Sequence, residues 1–367
     1  MDSRIQKMAE VLVNYSTRIQ RGERVLFRGT SPLAQPLMQA LTREALKAGG
    51  LPFNYLHMSD ENRIAAEHGS LEQIAAVNPM LKLMYETADV IIRIEAADNT
   101  AELSGFSTDV VQARMRAYGE LLNIQMEREA NGTLRRCTTL FPTPAYARDA
   151  NMTLSEYEDF VYRACLLDQD DPVAGWLQLE AEQQRLIDFL RGKQRLHVKG
   201  KNIDLQMRIA DRTWMNASGR VNFPDGEIFT APVEDSVNGW VQFTYPAFYN
   251  GGVVRGAALH FEQGVITQAT AQEGEAFLNA VLDTDAGARR LGEFAIGTNR
   301  GVDRFTGHIL FDEKIHGTVH MAVGRAYPQT GGLNQSSIHW DMICDMRDGG
   351  QIFVDDLLFY QDGEFLV

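Results

Sequence analysis

The chain has 367 residues, 44% of them hydrophobic and 23% charged, with a formal net charge of −14. This is the composition of a folded globular protein long enough for two domains. The acidic balance argues against general nucleic-acid binding and against an anionic membrane surface, both of which call for a basic face, and no run of eighteen apolar residues offers a spanning helix.

The first stretch, MDSRIQKMAEVLVNYSTRI, lacks the continuous apolar core of a signal peptide. It is expected to form an amphipathic helix with Ile5, Met8, Val11, Leu12 and Tyr15 on one face. A short β-run at 23–28 ends in Gly29-Thr30-Ser31-Pro32, and a helix over 33–47 stops at Gly49-Gly50. A second strand at 52–56, a helical region and a third apolar run at 89–94 follow. Strand, helix, strand, helix, strand predicts a parallel α/β layer. Gly29-Thr30-Ser31 is neither G-x-G-x-x-G nor a P-loop, so an ordinary βα turn with a hydroxyl cap is expected there.

A charged helix is expected over 108–128, an extended crossover over 138–144, and two helices over 152–168 and 171–191. The domain boundary is placed after the last of these, giving an N-terminal α/β domain at 1–194 and a C-terminal domain at 195–367. From His197 onward the texture changes to short β-branched and aromatic runs with glycine turns, at 196–198, 203–209, 253–261 and 265–269. Phe261-Glu262-Gln263-Gly264-Val265 suggests a hairpin, and one helix is expected over 275–282. The second domain is therefore α+β and rich in antiparallel strands. Cys137, Cys165 and Cys344 are few and far apart, which gives neither a disulfide framework nor a cysteine zinc motif. A reducing cytoplasm is the expected compartment.

The densest chemistry lies in FDEKIHGTVHMAVGRAYPQTGGLNQSSIHWDMICD, residues 311–345. It gathers Glu313, His316, His320, Tyr327, His339, Asp341 and Asp345 among apolar residues. In a strand, His339 and Asp341 point to the same face, and His320 sits in an alternating run. Imidazole and carboxylate are standard ligands for a zinc-like divalent ion. Two more acids stand in strand-like settings: Glu227 after a Pro-x-Gly turn, and Glu293 in Leu291-Gly292-Glu293-Phe294.

The segments NFPDGEIFTAPVEDSVNG, LGEFAIGTN, ILFDEK, VHMAVGRAYP and GGLNQSSIHWDMICD together resemble the metalloaminopeptidases of the aminopeptidase T / aminopeptidase S type. The likeness spans most of the chain and is most specific from Val221 to Asp345. It implies an α/β domain followed by a metal domain, a homodimer, and two divalent ions (cobalt, zinc or magnesium). The matching ligand positions are Glu227, Glu293, Glu313, His320, His339 and Asp341. Glu293 has a possible second role as proton shuttle, and Tyr327 is the implied oxyanion donor. The interval from Asp312-Glu313 to His320 is slightly longer than the family pattern, which sets Glu313 apart. The implied reaction is hydrolysis of the N-terminal residue from a peptide with a free N-terminus. Some proteins resembling this family are iron dioxygenases that cleave dihydroxypyridine rings, and His320, His339 and Asp341 alone would supply a mononuclear iron site. The additional glutamates favour the dinuclear hydrolase. A metal-binding scaffold without catalysis is a third reading, which no sequence feature supports.

Overall fold

The computed structural model describes residues 2–103 and 105–367. These fold as two compact units, one of residues 1–175 with 219–224, the other of 176–218 with 225–367. The units differ from the division at residue 194 in two places. Most of the helix Pro172–Leu190 groups with the second unit, where Leu186, Ile187 and Leu190 enter its core. Residues 219–224 return to the first unit, where the short strand Asn222–Phe223 pairs with a sheet edge.

The first unit is the expected parallel α/β layer. Its five-stranded sheet runs in the order Leu51–Leu56, Arg24–Gly29, Val90–Glu95, Arg135–Leu140, Asn222–Phe223, with every neighbouring pair parallel. The opening helix is Ser3–Val11, started by Asp2, whose carboxylate accepts from the Arg4 amide. The Gly29-Thr30-Ser31 turn is the expected capped βα turn: Thr30 Oγ1 accepts from the Ala96 amide, and Ser31 Oγ accepts from the Leu33 amide. The expected crossover at 138–144 is different. Residues up to Leu140 are the end of a fully paired strand, Arg135–Leu140. Its threonines and arginines hide it, because strands buried in parallel sheets usually read as continuous apolar runs.

The second unit is antiparallel, as expected. An eight-stranded sheet runs Val265–Thr270, Ala258–Glu262, Asn238–Gln242, Ile203–Arg208, Arg195–Gly200, Gln351–Val354, Leu357–Gln361, Glu364–Phe365. Gln263 and Gly264 both take positive φ, +48° and +79°, which closes the expected hairpin. The expected run at 253–261 is broken at Gly256 into two strands, Gly252–Val254 and Ala258–Glu262. A five-stranded sheet runs His339–Asp345, Thr318–Gly324, Leu291–Gly297, Glu227–Thr230, Met215–Ala217. One core joins the two sheets: Val198, Leu205, Val241 and Ile352 from the larger, Ile228, Phe294, Met321 and Met342 from the smaller. Among the described residues, no helix is long and apolar enough to cross a membrane.

Candidate metal centre

The five-stranded sheet has two different faces because side chains alternate along each strand. Ile228, Phe294, Ile296, Val319, Met321, Trp340 and Met342 supply the apolar core. The alternate positions carry Glu227, Glu293, His320, His339 and Asp341. Register then brings them together. Glu227 lies opposite Gly297. His320 lies between Ala295 and Ile343, and Ala322 between Glu293 and Asp341. Ala295, Gly297 and Ala322 occupy little volume, so space remains over the sheet for the long acidic and imidazole side chains.

Two glycines make this placement possible. Gly226 has φ +125° and a Cβ there would lie 2.6 Å from Asn299 Cβ, so the turn that delivers Glu227 excludes other residues. At Gly297 an added Cβ would sit 2.1 Å from the Ile315 carbonyl oxygen. The segment after the helix Ile309–Asp312 therefore passes directly against the sheet, carrying Glu313 and Lys314 into the cluster.

All six anticipated ligands converge. Three triplets have ligand atoms within 4.8 Å of one another: Glu227–Glu293–His320, Glu293–His339–Asp341 and Glu313–His320–Asp341. Glu313 is included despite its longer interval to His320. Glu293 is shared, with Oε1 3.6 Å from His320 Nε2 and Oε2 3.5 Å from His339 Nε2. His339 Nε2 lies 3.6 Å from Asp341 Oδ2. These separations are long for hydrogen bonds. They match the spacing of about 3.3–3.6 Å between two atoms that bind one tetrahedral ion at about 2.0–2.2 Å. His320 Nε2 and Glu227 Oε2 approach to 3.0 Å, yet neither makes an aligned hydrogen bond, and His320 Nδ1 and Asp341 Oδ1 are also buried without one. His339 Nδ1 is 2.8 Å from the Arg325 carbonyl oxygen. An N–H donated there leaves the Nε2 lone pair facing the carboxylates.

Charge points the same way. Asp225, Glu227 and Glu313 surround the wholly buried Lys314, and Glu293 and Asp341 add two more carboxylates on the side of the histidines. Lys314 Nζ donates to Glu227 Oε1 at 2.7 Å and to Glu313 Oε1 at 2.5 Å, and lies 3.5 Å from Asp225 Oδ1. Burial opposes the charged form of Glu227, but Lys314 and His320 outweigh it and hold the carboxyl low, at about 2. Burial pushes Glu293 up, and lifts Glu313 to about 8 against the pull of Lys314. Both imidazoles resist burial and are drawn upward, His320 mainly by Glu227 and His339 mainly by Asp341. A buried cluster this rich in carboxylate holds protons on its bases until a cation replaces them. The residues present fit divalent metal.

Tyr327 stands at the rim, 44% exposed, its ring centroid 5.0 Å from that of His339. Burial of its phenol and the nearby Glu293, Asp341 and Glu313 carboxylates push its pKa up, so it stays protonated. Two residues of the 311–345 stretch lie outside the cluster. His316 Nε2 is 3.2 Å from Glu364 Oε1, and Asp345 pairs with Arg347. Asp345 has the right strand parity, but four residues beyond Asp341 amounts to roughly 13 Å. Lys314 is the participant that the sequence reading missed. A lysine after Asp-Glu reads as a solvated charge, and only the close approach at Gly297 buries it.

A model of the family described as thermophilic metalloprotease (M29) matches residues 1–365. Aminopeptidase 2 of Geobacillus stearothermophilus is 29% identical, with 95% of this chain and 93% of that relative covered. The solved wild-type AmpT of Thermus thermophilus superposes with a TM-score of 0.87 at 22% identity, over 100% of this chain and 99% of that one. The solved 2,5-dihydroxypyridine dioxygenase of Pseudomonas putida KT2440 reaches 0.59 at 14% identity, over 100% and 98%. Both superpositions are likenesses of fold.

Proposed function

The chain belongs to the thermophilic metalloprotease (M29) family, and from that premise we propose that it is an aminopeptidase acting through two divalent ions on peptides with a free N-terminus. The single observation that carries the reading is Glu293, which turns one oxygen toward His320 and the other toward His339. Such a carboxylate suits a bridge between two cradles, Glu227–Glu293–His320 and Glu293–His339–Asp341, with Glu313 completing the set. Zinc, cobalt and magnesium all remain within reach of this ligand chemistry.

Bound ions would acidify a water to near neutrality and polarise the scissile carbonyl. The chain's own groups do the rest. Glu293, turned into the cluster beside both histidines, would take the proton of the attacking water and pass it to the departing amine. Tyr327 keeps its phenolic proton and donates it as a hydrogen bond to the developing oxyanion. Lys314 fixes Glu227 Oε1, which leaves Oε2 turned to the cluster. The substrate's free α-amine would be held by one of the ions or by a nearby acid, restricting cleavage to the first peptide bond.

The iron-dioxygenase reading calls for His320, His339 and Asp341 around one point. Each of the three triplets instead carries one imidazole and two carboxylates. The homodimer implied by the family resemblance belongs to this reading, as does a cytoplasmic location, for which the low and scattered cysteine content speaks. The test is metal analysis of the purified chain together with release of free amino acid from a leucyl amide. Two equivalents of zinc or cobalt with hydrolysis are expected. One iron per chain with oxygen uptake on a dihydroxypyridine would replace this reading with the dioxygenase.

A further inference from the structure

The first unit contains a cavity of about 440 Å³ that peptide hydrolysis does not use. Its floor is Arg28, 2% exposed. Nη1 donates to Tyr85 Oη and Nη2 to Tyr118 Oη, both at 2.7 Å. Nε and Nη2 face His57 Nε2 at 3.4 and 3.2 Å. His57 Nδ1 lies 3.3 Å from Glu61 Oε2, so its N–H points there and Nε2 accepts from Arg28. Burial, and then the Arg28 charge, pull His57 down to about 4, so it is neutral at physiological pH. Arg28 is thus a buried guanidinium whose described partners are all uncharged.

A second guanidinium lines the same cavity. Arg114 lies against the Tyr118 ring, 5.1 Å from its centroid, and its buried Nε has no hydrogen-bond partner. Among the described residues, the one carboxylate in the wall, Glu61, faces His57 and the Met58 amide. Buried charge without a counter-charge is costly, and an arginine fork suits an oxyanion. The location agrees with this. Arg28 lies near the carboxyl end of the strand Arg24–Gly29, and His57 directly follows Leu51–Leu56. In the strand order Leu51–Leu56, Arg24–Gly29, Val90–Glu95, the winding reverses between Arg24–Gly29 and Val90–Glu95, and the cavity lies beside that point, at the carboxyl ends of Arg24–Gly29 and Leu51–Leu56. Open α/β sheets bind ligands at the carboxyl ends of strands at such a point. Ile74, Val77, Leu81 and Leu121 supply an apolar wall.

We propose that this cavity binds a small molecule bearing one oxyanion on an apolar body, with Arg28 and Arg114 clamping the anionic group and the apolar wall holding the rest. The test is calorimetric titration of the full, metal-loaded chain with inorganic phosphate, phenyl phosphate and benzoate, repeated on Arg114→Ala. Arg28 is so deeply built in that its variants risk misfolding, whereas Arg114 is only half-buried. Phenyl phosphate or benzoate should bind one per chain and more tightly than inorganic phosphate, and the better of the two identifies the anionic group. Arg114→Ala should weaken that binding roughly tenfold or more, with peptide hydrolysis unchanged. No binding by any of the three probes overturns the proposal. So does binding that persists in Arg114→Ala, or binding that inhibits hydrolysis by competing with peptide, since either places the anion elsewhere.

Discussion

The two units hold buried polar clusters of opposite sign. In the second, a cluster of carboxylates holds one buried lysine among three of its members and two histidines among the rest. In the first, Arg28 and Arg114 line a cavity in which Glu61, the one acid among the described lining residues, is turned to a histidine. The difference teaches that uncompensated buried charge announces the sign of what is missing: a cation in the second unit, an anion in the first. It also separates two ways of building a site. The acidic cluster comes from four adjacent strands of one sheet, with Glu313 and Lys314 added by a close-packed loop. The basic one is assembled from a strand end, a turn and a long helix, Thr108–Ala130.

The contrast can be broken most severely at Glu293. Glu293→Gln keeps the size of the side chain but removes the charge and the base. Hydrolysis should fall roughly a hundred- to ten-thousand-fold, with the circular dichroism spectrum unchanged. Full activity would remove Glu293 from the mechanism.

Next in size is Lys314→Met, which strips the acidic cluster of its fixed cation. Leaving buried carboxylates without it should cost about 3–5 kcal/mol in the metal-free chain, read by urea unfolding in chelator. Added zinc should recover part of that loss, because ions take over the compensating charge. An unchanged midpoint without metal would mean that Lys314 does not balance the cluster.

Tyr327→Phe sharpens the comparison at the rim. A single oxyanion donor is worth on the order of a hundredfold in kcat; KM should scarcely move and the bound metal should remain. A change confined to KM would make Tyr327 a substrate-packing residue instead.

The smallest expected effect concerns the loop that leads into His339. Asp285 accepts from the Ser337 amide and from the Ser336 and Ser337 hydroxyls. The Ser337 hydrogen bonds outweigh the cost of burial and hold its carboxyl at about 2, below the usual 3.8. A depressed carboxyl contributes stability above its unfolded value that is lost as pH falls through the folded one. Thermal stability should therefore decline between about pH 4 and pH 2, and Asp285→Asn should flatten that limb of the profile. An identical acid limb in the variant would assign the decline to other carboxylates.

Much of this was legible in the sequence. The α/β and antiparallel halves follow from their different periodicities. Glu227, Glu293, His320, His339 and Asp341 follow from strand alternation together with the family resemblance. A further signal went unread: Ala295, Gly297 and Ala322 stand beside these ligands in the sheet, and small residues next to large polar ones mark a face that must hold something more. Lys314 was illegible because its burial depends on a loop packing against Gly297, a contact that no local pattern encodes. Arg28 was hidden for a similar reason. An arginine near a strand end reads as solvated, and only Tyr85, His57 and Tyr118, distant in the chain, reveal it as a buried charge. The strand Arg135–Leu140 escaped in part because its threonines and arginines mask a position inside a parallel sheet.

Anomalous diffraction at the zinc edge from crystals of the metal-loaded chain tests the central claim most directly. The account predicts two peaks per chain, each within bonding distance of a different oxygen of Glu293, one beside His320 and the other beside His339. A single peak held jointly by His320, His339 and Asp341, with Glu227 and Glu293 uninvolved, would contradict it.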